Sequence, residues 1–141
     1  MYMVLEQIAQ TYEERGIKLT RREMPGQKTQ ALLLKVAGKN FKQVNLMILA
    51  NSENPDCVMR APRIADFTEE RREQALDLIN RVNQKYRFIK LILEDDNTVT
   101  ATADLPTRAG NPGPVAHELF IRMMTIIDEV YPQLMKAVWG D

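Results

Sequence analysis

Two kinds of hydrophobic pattern alternate along this chain of 141 residues, and their order restricts the possible folds more than any other feature. Residues 2–15 repeat apolar side chains every three or four positions, which is typical of a helix with one buried face. Residues 17–50 instead contain three short apolar segments, separated by a turn at Pro25-Gly26 and by another at Gly38. We interpret them as antiparallel strands joined by tight loops.

Residues 57–64 are the ambiguous part of the pattern. They contain enough apolar side chains for a strand, but Pro62 cannot donate a hydrogen bond within a sheet. We therefore expect an edge strand there at most. Asp66 or Thr68 is then expected to cap a second helix. The predicted core stripe of that helix is Ala75, Leu76, Ile79, Val82 and Tyr86.

Two alternating segments follow this helix, residues 87–94 and 98–105. They are predicted to pair as a hairpin, because Asp95-Asp96-Asn97 between them suits the backbone of a tight turn. Glycine adopts a left-handed turn conformation more readily than asparagine does. We therefore expect replacement of Asn97 by glycine to be neutral or slightly stabilising.

A long helix over about residues 114–138 completes the pattern, and Pro132 is expected to kink or divide it. Strands in meanders and hairpins, with helices segregated between them, favour an antiparallel sheet covered by helices. The prediction is an α+β fold with an antiparallel sheet of about five strands. The order is α-β-β-β-α-β-β-α, within one domain spanning residues 1–141.

The last helix carries two neighbouring apolar stripes, which together span more than the roughly 100° of arc that a core-facing helix buries. Either both stripes are buried within one chain, or the second contacts another subunit or a protein client. Unbranched methionine side chains suit an adaptable contact. The first stripe is Val115, Leu119, Met123, Ile126, Val130 and Leu134, and our candidate interaction surface, from the second, is Phe120, Met124, Ile127, Tyr131 and Met135.

The predicted strands also place apolar side chains on both faces of the sheet. In the predicted hairpin, Phe88 and Ile92 alternate with Ile89, Leu91 and Leu93. In the third strand, Met47 and Leu49 alternate with Leu46 and Ile48. A sheet with helices on only one face would leave one of these sets exposed to water. This alternation is a second reason to expect a surface that contacts another molecule.

Charge and cysteine content exclude several classes of function. The chain has 19 basic and 19 acidic side chains, and basic pairs such as Arg21-Arg22 lie beside acidic residues. It therefore lacks the unopposed basic patch that binds nucleic acid. The single cysteine, Cys57, cannot form an intrachain disulfide, which suits a reducing compartment. The sequence shows neither a signal-peptide pattern nor an apolar run of about 20 residues. We expect a cytoplasmic protein that binds neither nucleic acid nor membrane.

The sequence contains no recognisable catalytic or metal-binding pattern. His117 is the only histidine, and the neighbouring Glu118 would point to a different face of a helix. Cys57 has no nearby base that would activate it as a nucleophile. The acidic turn at Asp95-Asp96 lacks the central glycine and distant glutamate of a calcium loop. We expect a non-enzymatic protein with no catalytic residue, metal or cofactor.

Two segments carry a resemblance to a known family. Residues 75–106 read ALDLINRVNQKYRFIKLILEDDNTVTATADLP, with the step Leu78-Ile79-Asn80 followed by an alternating hairpin and a closing Leu-Pro. Residues 127–134 read IDEVYPQL. These motifs are similar to those of the YbjN-like family, also called bacterial sensory-transduction-regulator-like, and the similarity covers about residues 4–136. One departure is the hairpin turn, where the family often has Asp-Gly and this chain has Asp-Asn.

The resemblance implies a fold similar to that of type III secretion chaperones, whose members bind other proteins. The family has no established enzymatic activity. We therefore predict a non-enzymatic protein-interaction module, chaperone- or adaptor/regulator-like, that forms a homodimer and binds a protein client. The alternative is a regulatory domain that holds a small apolar ligand under the last helix.

Overall fold

A computed structural model describes residues 1–26, 28–52 and 56–140 of the chain. Helices and strands follow one another in the predicted order, with one additional strand. The elements are α1 Met3–Glu14, β1 Thr20–Glu23, β2 Thr29–Val36, β3 Val44–Asn51, β4 Cys57–Asp66, α2 Arg72–Lys85, β5 Lys90–Leu93, β6 Thr98–Leu105 and α3 Pro112–Trp139.

The strands form one antiparallel sheet in the order β1-β2-β3-β4-β6-β5. The prediction of an α+β fold with an antiparallel sheet is confirmed. The sheet has six strands instead of about five, because residues 57–66 form a full strand.

β4 is a central strand, and the expectation of an edge strand at most was wrong. It pairs with β3 on one side and with β6 on the other. The register with β6 shifts between Ala61 and Ala65, so Pro62 lies in a bulge where neither neighbour pairs with it. Its missing N–H therefore removes no hydrogen bond of the ladder. Arg63, also in the bulge, has a left-handed φ of 56°.

All three helices pack against one face of the sheet. Alternate strand residues point towards them, as in the row Leu32, Ile48, Met59 and Ala103, which are paired across four strands. α1 contacts β2 and β3, α3 contacts β4 and β6, and α2 contacts β5. The buried side chains of helices and strands form a single hydrophobic cluster between these two layers.

α1 is attached to α3 through Tyr12, which is fully buried. Its ring packs on Phe120 with 5.5 Å between ring centroids, and its hydroxyl donates to the Ala116 carbonyl at 2.7 Å. The helices approach closely because position 113 is glycine. A Cβ atom at Gly113 would lie 2.0 Å from Thr11 Oγ1.

α2 buries Ala75, Ile79 and Val82 as predicted, but Leu78 takes the place expected for Leu76, which is 46% exposed. The helix is entered through a short 3-10 turn after Thr68. Neither Thr68 nor the residue before the helix makes a side-chain cap, so the predicted capping was wrong. This turn rotates the helix so that positions 75, 78, 79 and 82 face the core.

Asn83 of α2 covers the outer edge of β5. Its amide Nδ2 donates to the Leu91 carbonyl at 3.0 Å, and its Oδ1 accepts from the Leu91 N–H at 2.8 Å. Unpaired strand edges invite pairing with other chains. The amide of Asn83 thus satisfies the main chain at this edge in place of another strand.

α3 continues through Pro132 as one helix of 28 residues, so Pro132 does not divide it as expected. Proline has no N–H, which leaves the carbonyl four residues earlier, that of Asp128, without its helical donor. Asn40, in the loop between β2 and β3, supplies that donor from Nδ2 at 2.8 Å. The Asn40 N–H also donates to Asp128 Oδ1 at 2.7 Å.

We predict that Asn40 and Pro132 are energetically coupled. Asn40→Ala should lower the free energy of unfolding by about 1 kcal/mol, because the Asp128 carbonyl loses its donor. In a Pro132→Ala background the restored N–H of residue 132 can bind that carbonyl, so Asn40→Ala should cost less. Chemical denaturation of the four proteins of this cycle measures the coupling. Gln133→Ala, at an exposed neighbouring position, serves as the additive control. Equal costs in both backgrounds would refute the coupling.

Asn97 occupies the predicted hairpin turn with a left-handed φ of 67°. Its Oδ1 accepts from the Arg72 guanidinium at 2.7 Å, and its Nδ2 donates to Glu69 Oε2 at 2.8 Å. The side chain therefore joins the turn to the start of α2. These bonds change the expectation that glycine would serve equally well at position 97.

We now predict that Asn97→Gly lowers the free energy of unfolding by about 1 kcal/mol, because two side-chain hydrogen bonds are lost. Asn97→Ala should cost more, since alanine loses the same bonds and also tolerates a positive φ less well than glycine. Urea denaturation of both variants provides the comparison. A glycine variant as stable as the wild type would show that the two bonds contribute little.

Candidate binding surface

The face of the sheet turned away from the helices carries an apolar centre. The strand register determines which side chains share this face. In one row Leu33 pairs with Met47, and in the next row Ala31, Leu49 and Val58 lie side by side on β2, β3 and β4. We call these five residues the apolar band. Ala31 is buried, and the other four are half-buried, on the face opposite to α1, α2 and α3.

Basic side chains lie on both sides of the apolar band. Arg22 of β1 is paired with Ala31, and Arg60 of β4 is paired with Met47. Lys35 lies further along β2 on the same face. Within the described ranges these three exposed side chains form no hydrogen bond or ion pair, and Asp104 of β6 adds one carboxylate next to Val58.

The adjacent Arg21 and Arg22 show how the strand separates two similar charges. Arg21 points towards α1, where it donates to Glu6 at 2.9 Å and to Glu13 at 2.7 Å. Arg22 points to the opposite face, away from these carboxylates. The acidic residues near this pair in the sequence therefore neutralise only one of the two arginines.

This face of the sheet contains two open depressions. One, of about 820 Å³, lies over β1, β2 and β3 and is lined by Arg22, Leu33, Met47 and other residues. The second, of about 430 Å³, lies beside Leu49 and Arg60 at the end of the sheet near Cys57. Both are open to solvent, so a partner that lies on this face would contact them.

The predicted interaction residues lie on the helical side of the molecule. Phe120 and Ile127 are only 7% and 0% exposed and belong to the core, because α1 packs along this side of α3. Met124, Tyr131 and Met135 are half-buried at the margin of the core. The prediction that these three side chains contact a partner stays a prediction.

The first stripe of α3 is buried as expected except for Val115, which is 43% exposed. Gly113 and Ala116 face α1 in the first turn instead, since these small residues allow the two helices to approach. The space beneath α3 is filled by Met123, Ile127 and Leu134, all with 0% exposure. The alternative of a small apolar ligand in that space stays a prediction.

Neither His117 nor Cys57 has the surroundings of a reactive group. The Arg15 guanidinium contacts His117 Nδ1 at 2.5 Å, and the ring packs edge-on against Tyr12. Partial burial and the charge of Arg15 lower the pKa of His117. Burial, with a smaller effect from Asp56, raises the pKa of the Cys57 thiol to about 11. In residues 1–26, 28–52 and 56–140, no three His, Cys, Asp or Glu side chains are grouped as metal ligands.

We predict that His117 makes stability fall as the pH is lowered from about 7.5 to 5.5. A histidine whose pKa is depressed by folding stabilises the protein above its unfolded pKa of about 6.5, and this contribution is lost at lower pH. Protonated His117 can no longer accept from Arg15. Thermal unfolding of wild type and His117→Gln tests this, since glutamine does not titrate. An identical pH dependence of the two melting temperatures would refute the prediction.

Local alternation was only a partial signal for this surface. Alternation in β3 indicated that Met47 and Leu49 share a face, but it did not show which face the helices leave open. Arg60 and Val58 were missed because β4 was expected at an edge, if present at all. The outward residues of β4 can be identified only when the face that the helices cover is known.

The fold is thus an antiparallel sheet with helices on one face, and its other face carries an apolar band with basic side chains on both sides. A family model described as "YbjN: Putative bacterial sensory transduction regulator" matches residues 5–134. The chain belongs to the YbjN family, which confirms the resemblance seen in the two sequence motifs.

A solved structure has the same fold. It is titled "Crystal structure of YbjN, a putative transcription regulator from E. coli", and its chain is 15% identical to this one. The match covers 94% of this chain and 96% of that chain, with a TM-score of 0.61. The comparison with curated proteins found no match.

Proposed function

We propose that this chain is a non-enzymatic adaptor or regulator that binds another protein on the helix-free face of its sheet. The observation that carries this proposal is the apolar band, which has basic side chains on both sides and which no helix of the described residues covers. Uncovered apolar patches rimmed by polar residues mark interaction sites. The description of the family as sensory transduction regulators agrees with such a role.

The state of the chemically versatile side chains supports a role without catalysis. Nucleophilic attack requires a thiolate and a nearby base, whereas Cys57 is buried with a pKa raised to about 11. His117, near the start of α3, is engaged through its Nδ1 by Arg15. The engaged imidazole and the raised pKa of the thiol support a role without catalysis.

The size of the apolar band favours transient binding. Fully burying one Leu, Met or Val side chain contributes about 1.5–3 kcal/mol. Leu33, Met47, Leu49 and Val58 are already half-buried, so covering them should contribute roughly half of that each, about 3–6 kcal/mol in all. Association costs about 4–15 kcal/mol. Stable binding therefore needs polar contacts as well, and Arg22 and Arg60 can provide them.

The test of this proposal is site-specific photo-crosslinking. A photoreactive amino acid at position 49 should form discrete adducts with a partner in the cells that make this protein. Adducts should disappear when Met47→Glu places a charge in the apolar band. The same amino acid at Gln84, exposed on α2, is the matched control. Adducts at position 84 but not at position 49 would contradict the proposal.

We also propose that the chain forms a homodimer in the cytoplasm, through the half-buried residues of α3. Met124, Tyr131 and Met135 leave part of their apolar surface exposed on one side of this helix. A two-fold dimer would use the same patch on both chains. No helix in the described residues, including the 28-residue α3, is long and apolar enough to cross a membrane.

Sedimentation equilibrium tests the dimer. Because Phe120 and Ile127 are buried within the chain, the contact should be weak, with dissociation in the range of about 10–100 μM. Met124→Glu should abolish it, whereas Thr125→Glu, at the next and exposed position, should have little effect. A wild-type protein that is monomeric at about 100 μM would refute the dimer.

A further inference from the structure

We propose that the partner of the helix-free face is an acidic amphipathic helix of another protein. This inference depends on the proposed function and specifies the chemistry of its partner. Three features of the face lead to it: the width of the apolar band, the pairing of its strands and the sign of its charges.

The width of the band fits one helix. Arg22 on β1 and Arg60 on β4 are separated by three strand spacings, with β2 and β3 between them. At about 4.8 Å per spacing, the two strands are roughly 14 Å apart. An α-helix with its side chains is about 10–12 Å wide. A helix lying on Leu33, Met47 and Leu49 would therefore have one arginine on each side.

The pairing of the strands favours a helix over an extended peptide. An extended peptide gains its affinity from main-chain hydrogen bonds to an unpaired sheet edge. The apolar band lies on β2, β3 and β4, each of which is paired on both sides. A helix satisfies its own main chain, so it can bind through side chains alone.

The charges of the face favour an acidic partner over a second copy. Arg22, Lys35 and Arg60 outnumber two carboxylates, Asp104 on the same rows and Asp56 beside Arg60 in the smaller depression. Lys90 is also on this face by register, but its ammonium group is held by the carbonyls at the end of α2. Two copies stacked face to face would bring like charges together. Glutamate or aspartate on both flanks of an apolar stripe would instead pair with the two arginines.

Selection from a displayed peptide library tests the proposal. The library consists of helix-forming peptides of about 18 residues, or five turns, with randomised side chains. Peptides are selected on the wild-type chain, and those that still bind Met47→Glu are removed. We expect the survivors to carry an apolar stripe at helical spacing, with acidic residues on both of its flanks and a net negative charge.

Charge reversal then tests the two arginines. For a selected peptide, Arg22→Glu combined with Arg60→Glu should weaken binding about tenfold and should reduce its dependence on salt. Arg81→Glu, at an exposed position of α2, is the matched control. A peptide whose flanking acids are replaced by lysine should bind the doubly reversed variant better than the wild type. Thermal unfolding verifies that the variants fold.

The possible outcomes separate this inference from the proposed function. Selected peptides that depend on Met47 but have basic or uncharged flanks would overturn the acidic helix and leave the binding face in place. Selected peptides without helical spacing would likewise overturn it. If no peptide depends on Met47, and position 49 also forms no crosslinks in cells, both the inference and the proposed function fail.

Discussion

The packing of α3 across the middle of the sheet is the contact on which the other parts of the structure depend. Met123, Ile127 and Leu134 have no exposed surface, and they bring β4 and β6 into one core with the flanking helices. Asn40 binds the second half of this helix, because it donates to the Asp128 carbonyl the hydrogen bond that Pro132 cannot make. The ring of Tyr131 packs against Phe41 in the same loop, with 6.0 Å between centroids. The IDEVYPQL motif therefore attaches α3 to the loop between β2 and β3.

α1, α2 and α3 all pack on one face of the sheet. The strand side chains that point to the opposite face are therefore not covered by these helices. In β3 this rule places Leu46 and Ile48 in the core and Met47 and Leu49 outside it. An apolar outer face contributes less to the stability of the isolated chain than the core does, since its side chains remain partly in water. A partner that covers it would gain their burial, and the flanking arginines would select for the charge of that partner.

Local patterns were sufficient for most of the fold. The hairpin between β5 and β6 follows from alternation around an Asp-Asn turn, and three consecutive apolar segments identify β1 to β3. β4 was underestimated because Pro62 excludes a regular central strand, and only the bulge that spans it makes the strand possible. The bulge depends on both neighbouring strands, so it cannot be inferred from residues 57–66 alone.

The candidate surface was harder to predict for a related reason. The arc of a helix that becomes buried depends on its neighbours. Tyr12 of α1 covers Phe120, and Ile127 is also buried, although the periodicity of α3 alone assigned both residues to a partner. Likewise, Arg22 and Arg60 are distant in sequence, and only the strand order places them on either side of one band. Burial and strand order are properties of the whole chain, whereas periodicity is local.

The most direct measurement of the central claim is NMR of the methionine methyl groups in the cells that make this protein or in their undiluted extract. Met47 reports on the helix-free face, Met59 and Met123 report on the core, and Met124 and Met135 report on α3. If the helix-free face binds the partner, the Met47 signal should shift or broaden while those of Met59 and Met123 stay as in the purified protein. An unchanged Met47 signal would contradict the account, whether or not Met124 and Met135, on the proposed dimer surface, change.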